Sequence, residues 1–73
     1  MERISLAAGQ EALVGNAEYH ITEVKDCDVH LDVYCQGKFY AIATVKRINR
    51  QNIMPVETLV KRAVASLKFL RGF

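Results

Sequence analysis

The segment Met54-Pro55-Val56-Glu57-Thr58-Leu59-Val60-Lys61-Arg62-Ala63-Val64-Ala65-Ser66-Leu67-Lys68-Phe69-Leu70-Arg71-Gly72-Phe73 decides the fold. Pro55 suits the first helical position, where its missing N–H costs nothing. Gly72 suits the left-handed residue that closes a helix. Between them Val56, Leu59, Val60, Ala63, Val64, Leu67 and Leu70 repeat with the helical period and make one apolar stripe. A helix with such a stripe needs a surface to lie on. The residues upstream are expected to supply it as a sheet.

Working outward, Ala17–Val24 reads as a strand with Tyr19 and Ile21 on one face and His20 and Thr22 on the other. Val29–Gln36 alternates most cleanly: Val29, Leu31, Val33 and Cys35 against His30, Asp32, Tyr34 and Gln36. Phe39–Lys46 is the third strand, reached through a turn at Gly37. A two-residue loop sets Val33 and Leu31 beside Tyr40 and Ile42. A three-residue loop, Gln36-Gly37-Lys38, pairs Cys35 with Phe39, Val33 with Ala41, Leu31 with Ala43 and Val29 with Val45. The second register gathers all eight apolar side chains on one face, so it is preferred. The small Ala41 and Ala43 then leave room for the helix.

The remaining segments carry weaker signals. Ser5 is read as the cap of a short helix from Leu6 to Val14, closed by Gly15-Asn16. Gly9 weakens that helix by about 1 kcal/mol. The rival reading is a strand, Glu11–Val14, turning at Gly15-Asn16 into the next. Residues 47–53 form a polar connection, with Ile48 and Ile53 tucked under the sheet edge. The expected fold is therefore α+β, in the order α-β-β-β-α. A three-stranded antiparallel sheet has one face covered by the C-terminal amphipathic helix.

Size and composition bound the rest. A chain of 73 residues is expected to form a single small domain, residues 1–73. Such a domain buries only about 60% of its unfolded surface. Its 51% hydrophobic and 25% charged content is that of an ordinary globule. No apolar run approaches the ~20 residues of a membrane span, and the N-terminus lacks a signal-peptide pattern. A cytoplasmic location without membrane contact is expected. Cys27 and Cys35 then read as reduced thiols rather than a disulfide.

Charge is divided along the chain. Residues 1–45 carry a net −4 and residues 46–73 a net +6. Lys46, Arg47 and Arg50 lie in or beside an exposed loop. With Lys61, Arg62 and Lys68 they form a candidate phosphate-binding set. Phe69, with Phe73 near it, falls opposite the apolar stripe, as a candidate protein-interface anchor or base-stacking group. Asp28, His30, Asp32 and Tyr34 line the outer face of one strand. No nucleophile or oxyanion hole accompanies them, so no catalytic residue is assigned and the chain is expected not to be an enzyme. A metal set of His20, Cys27, His30 and Cys35 is rejected, because His30 and Cys35 point to opposite faces of one strand. No metal and no cofactor are expected.

The element order, the turn at Gly37-Lys38 and the helix positions Ala63, Val64 and Leu67 resemble the double-stranded RNA-binding domain. The paired lysines that open that family's last helix are absent; Pro55-Val56-Glu57 stands there. No RNA-contacting residue is carried over. The expected function is a small non-enzymatic binding protein, acting on nucleic acid or in regulation through its basic C-terminal half. The alternative is a protein-interaction module, a small inhibitor or adaptor of the kind that phages and mobile elements encode. A homodimer is expected, through Phe69 or through an open edge of the third strand.

Overall fold

A computed structural model describes residues 2–67. The order is β1 (Arg3–Ser5), β2 (Glu11–Val14), β3 (Ala17–Val24), β4 (Asp28–Cys35), β5 (Lys38–Lys46), β6 (Ile53–Pro55) and α1 (Val56–Ala65). Strands β2-β3-β4-β5 form an antiparallel sheet in sequence order, and β1 pairs with β6 in a second, two-stranded sheet. The fold is mixed α+β with one C-terminal helix. The expected three-stranded sheet is corrected to four strands plus two.

The N-terminal correction has a local cause. No helix forms from Leu6 to Val14; the rival strand reading is the one found. Gly9 takes φ +94°, in the left-handed region that breaks a helix. Its N–H donates to Ile21 O, and Ile21 N–H donates to Gln10 O. The ladder thus captures the backbone that a short, weak helix would have used. Ile4 of β1 and Leu6 just beyond its end are buried, at the two-residue period of a strand. With a strand replacing the first helix, the element order no longer matches that of the double-stranded RNA-binding domain.

The β4–β5 hairpin combines the two loop readings. Its turn has two residues, Gln36 and Gly37, with φ of 54° and 79°. Both are left-handed, as a type I′ turn requires. Cys35 therefore faces Lys38 and Tyr34 faces Phe39. One step further the register shifts, so that Val33 faces Ala41, Leu31 faces Ala43 and Val29 faces Val45. Tyr40 is the extra residue of this bulge. The bulge re-aims the strand: Ala41, Ala43 and Val45 stay on the inner face, and Phe39 turns outward. Cys35 is half-buried, and both cysteines are free thiols.

The inner face holds Ala12, Tyr19, Ile21, Val29, Leu31, Val33, Ala43 and Val45. Leu59 and Ala63 of α1, Ile4 and Met54 of the small sheet and Leu6 just after β1 close over it. Each of the larger side chains contributes about 1.5–3 kcal/mol by burial. Pro55 ends β6 and caps the helix with an extended backbone, ψ 137°. Val56 N–H donates to Glu2 O at 2.9 Å, so the residue before β1 satisfies one helix-end donor. Val56, Val60 and Leu67 pack at the core margin, whereas Val64 of the expected stripe is exposed. α1 ends at Ala65 with Ser66 as its C-cap, short of the expected end at Gly72, and begins after Pro55, which precedes the first turn instead of occupying it; Leu70 and Gly72 lie outside the described residues. Ile48 and Ile53 are also exposed rather than tucked under the edge; in β6 the neighbouring residue, Met54, is the one that reaches the core. Among the described residues no helix is long and apolar enough to cross a membrane.

Candidate functional site: the outer face of the four-stranded sheet

With α1 on the inner face, the outer face is left with its side chains in rows set by the register. Leu13, Glu18, Tyr34 and Phe39 make one row, and Glu11, His20, Asp32 and Ile42 the next. His30 and Thr44 follow, then Asp28 and Lys46. The aromatic rings interlock edge to face. Tyr34 lies 5.0 Å from His20 and 5.7 Å from Phe39, with interplanar angles of 71° and 82°. Such pairs add about 0.5–1.5 kcal/mol beyond their buried area. Leu13 is 67%, Phe39 56% and Ile42 46% exposed. Three large apolar groups so open to water, on one sheet face, are more than scattered surface hydrophobics.

The same face is acidic. Glu11, Glu18 and Asp32 project from it, and its basic residue, Lys46, is engaged: Lys46 Nζ donates to Asp28 Oδ1 at 2.9 Å. That hydrogen bond holds the Asp28 carboxyl below the usual carboxylate range and raises the Lys46 ammonium above its own. A depressed carboxylate contributes stability above its unfolded value of about 3.9, which is lost as pH falls through the lower folded value. The pair is exposed, so the contribution is small. A carboxyl-detected NMR titration is expected to show Asp28 titrating below the usual carboxylate range, and Lys46→Met is expected to bring it up.

The candidate basic residues are placed as follows. Arg47 is a strap: Nε donates to Asp26 O at 3.0 Å, Nη2 to Lys25 O at 2.9 Å and Nη1 to Asn52 Oδ1 at 3.1 Å. It ties the β3–β4 loop to the 47–52 connection, where Asn49 and Arg50 are both left-handed. Arg50 stands 3.8 Å from Asp26. Arg62 Nη1 donates to Lys46 O at 3.0 Å, clipping α1 to the end of β5. Lys61 is exposed, beside an open apolar pocket lined by Val14, Val56 and Val60. Lys68, Phe69 and Phe73 lie outside the described residues. Lys46, Arg47, Arg50 and Arg62 are therefore brought to one end of the molecule, each with an intramolecular contact. Arg47→Ala is expected to lower stability by about 1–2 kcal/mol, because three charge-assisted bonds are lost at an exposed site. Faster amide exchange at Lys25, Asp26 and Arg47 would mark the strap; unchanged exchange would dismiss it.

The open β5 edge that motivated a dimer is partly occupied. Ser66 Oγ accepts from Thr44 N–H at 3.2 Å and donates to Ala63 O at 3.0 Å, and Arg62 takes Lys46 O. The last turn of the helix thus shields that half of the edge.

The residues that define the outer face were only partly visible in the sequence. Asp28, His30, Asp32 and Tyr34 were placed there by alternation. Glu11 and Leu13 were missed because their segment was read first as helix. Phe39 was assigned to the inner face because the bulge at Tyr40 has no local signature beyond the Gln-Gly turn. No known protein family, no curated protein and no solved structure matches this chain.

Proposed function

We propose that the protein is a non-enzymatic protein-binding module whose outer sheet face receives a cationic, amphipathic partner. The observation that carries this reading is the juxtaposition of exposed Leu13, Phe39 and Ile42 with Glu11, Glu18 and Asp32 on one sheet face. Aromatic anchors supply desolvation energy, and the carboxylates select the sign of the partner and speed encounter. The same carboxylates repel a phosphate backbone, which argues against this face as a base-stacking platform.

A second reading, nucleic acid at the basic end, is favoured by one observation. Arg47 and Arg62 bond carbonyl and amide oxygens, not carboxylates, so their charge is uncompensated. One NMR experiment separates the two. The labelled protein is titrated with a Lys/Leu amphipathic peptide and, separately, with mixed DNA and RNA at low salt. The first reading expects the peptide to shift Tyr34, Phe39 and Ile42, with Phe39→Ser abolishing the effect. Shifts confined to nucleic acid at Arg47, Lys61 and Arg62 would replace it with the second.

A further inference from the structure

Across the β2–β3 ladder, Glu11 lies directly opposite His20, and Glu18 sits two residues before His20 on the same strand face. The two-residue period of a strand and the hairpin register together bring the three side chains to one point. One carboxylate oxygen each from Glu11 and Glu18 and one His20 ring nitrogen all lie within 4.8 Å of one another. His20 Nε2 donates to Glu18 Oε1 at 3.0 Å. Donors around a first-row divalent ion stand about 2.0–2.2 Å from it, hence roughly 3–3.5 Å apart. Glu18 and His20 are within that spacing, and Glu11, exposed and flexible, reaches it by a side-chain rotation.

We propose that Glu11, Glu18 and His20 form a binding site for a divalent transition cation of the zinc class, held across β2 and β3. Three features favour an ion over a solvated cluster. The donor set is mixed, and the imidazole nitrogen directs it toward zinc, cobalt or nickel rather than calcium or magnesium. The three donors come from paired strands, so backbone geometry is set before the ion arrives. Two carboxylates converge with Asp32 next in the row, and among the described residues no lysine or arginine forms an ion pair with any of them. A cation therefore meets an unmet electrostatic demand at this point. On binding, the His20 Nε2 proton leaves to solvent as Nδ1 takes one up, so the neutral ring changes tautomer and Nε2 offers its lone pair to the metal. Tyr34 holds the ring edge-on, and the coordination positions facing solvent stay open. Because the ion bridges the four-residue edge strand β2 to its neighbour, it also fastens the sheet. The site does not depend on the protein-binding reading.

The test uses the full chain carrying Cys27→Ser, which removes the exposed thiol as a competing ligand. Zinc chloride is added while the histidine ring nitrogens are followed by long-range proton–nitrogen NMR. The expected result is saturation of the His20 signals at one equivalent, with His30 unmoved and magnesium or calcium without effect. His20→Ala and Glu11→Gln, each checked for an unchanged circular dichroism spectrum, are expected to weaken binding by about tenfold or more. Glu11→Gln alters an exposed side chain, so it keeps the test decisive if His20→Ala is unstable. His20 signals that stay fixed through a large excess of zinc would overturn the proposal. So would zinc binding that survives both substitutions, which would place the ion elsewhere, at Cys35 or His30.

Discussion

Leu59→Ala is expected to remove roughly 2–5 kcal/mol of stability, the loss of a fully enclosed leucine plus the cavity left behind. Leu59 has no exposed surface and is the largest side chain that α1 sends into the core. A domain of this length has on the order of 4–11 kcal/mol in total. The variant is therefore expected to populate unfolded chain under mild urea. Val64→Ala, on the exposed side of the same helix, should change stability by no more than about 0.5 kcal/mol. Urea titrations followed by circular dichroism compare the two. Equal midpoints would remove α1 from the core.

Val45→Asp is expected to be still more damaging, and its pH dependence identifies why. Val45 is fully enclosed on β5 opposite Val29, and no buried polar or charged residue accompanies it in the described core. A carboxylate there has no partner, so folding forces it to stay protonated. A folded value raised by about 3–5 units costs roughly 4 kcal/mol at pH 7, because only the interval between about 3.9 and 7 counts there. The sign follows from proton counting: the folded state holds the proton and the unfolded state releases it above about 3.9. Stability therefore falls as pH rises from that value, and acid partly rescues the fold. Thermal melts at pH 4 and pH 7 check this. A variant with the same midpoint at both values would mean that the site is hydrated, not enclosed.

Much of this core was legible by periodicity. Tyr19 and Ile21, then Val29, Leu31 and Val33, alternate cleanly, and the three residues of β4 meet their expected β5 partners. Leu59 and Ala63 fall on the predicted stripe and are its enclosed members. The outer face was less legible. Alternation shows which residues point outward, but not which strands stand side by side. Only the β2–β3 pairing sets Glu11 opposite His20, and the preference for a helix from Leu6 to Val14 concealed it. The short β1 and β6 gave no alternation long enough to read, since each has three residues.

By itself the sequence determined the mixed α+β class, the three long strands, the presence of a C-terminal amphipathic helix, and the polarity of charge along the chain. These depend on side-chain period and on backbone preferences that act within a few residues. The tertiary structure alone decided the rest. Gly9 N–H and Gln10 O both bonded to the Ile21 backbone and turned a marginal helix into a strand. The Gln36-Gly37 turn and the bulge at Tyr40 reconciled a two-residue loop with the buried register, turning Phe39 to solvent. Arg47 found three oxygens contributed by two separate loops and became a strap. Each outcome depends on a partner distant in sequence. The free energy of such a contact exists only once the chain has closed, so no local pattern can announce it.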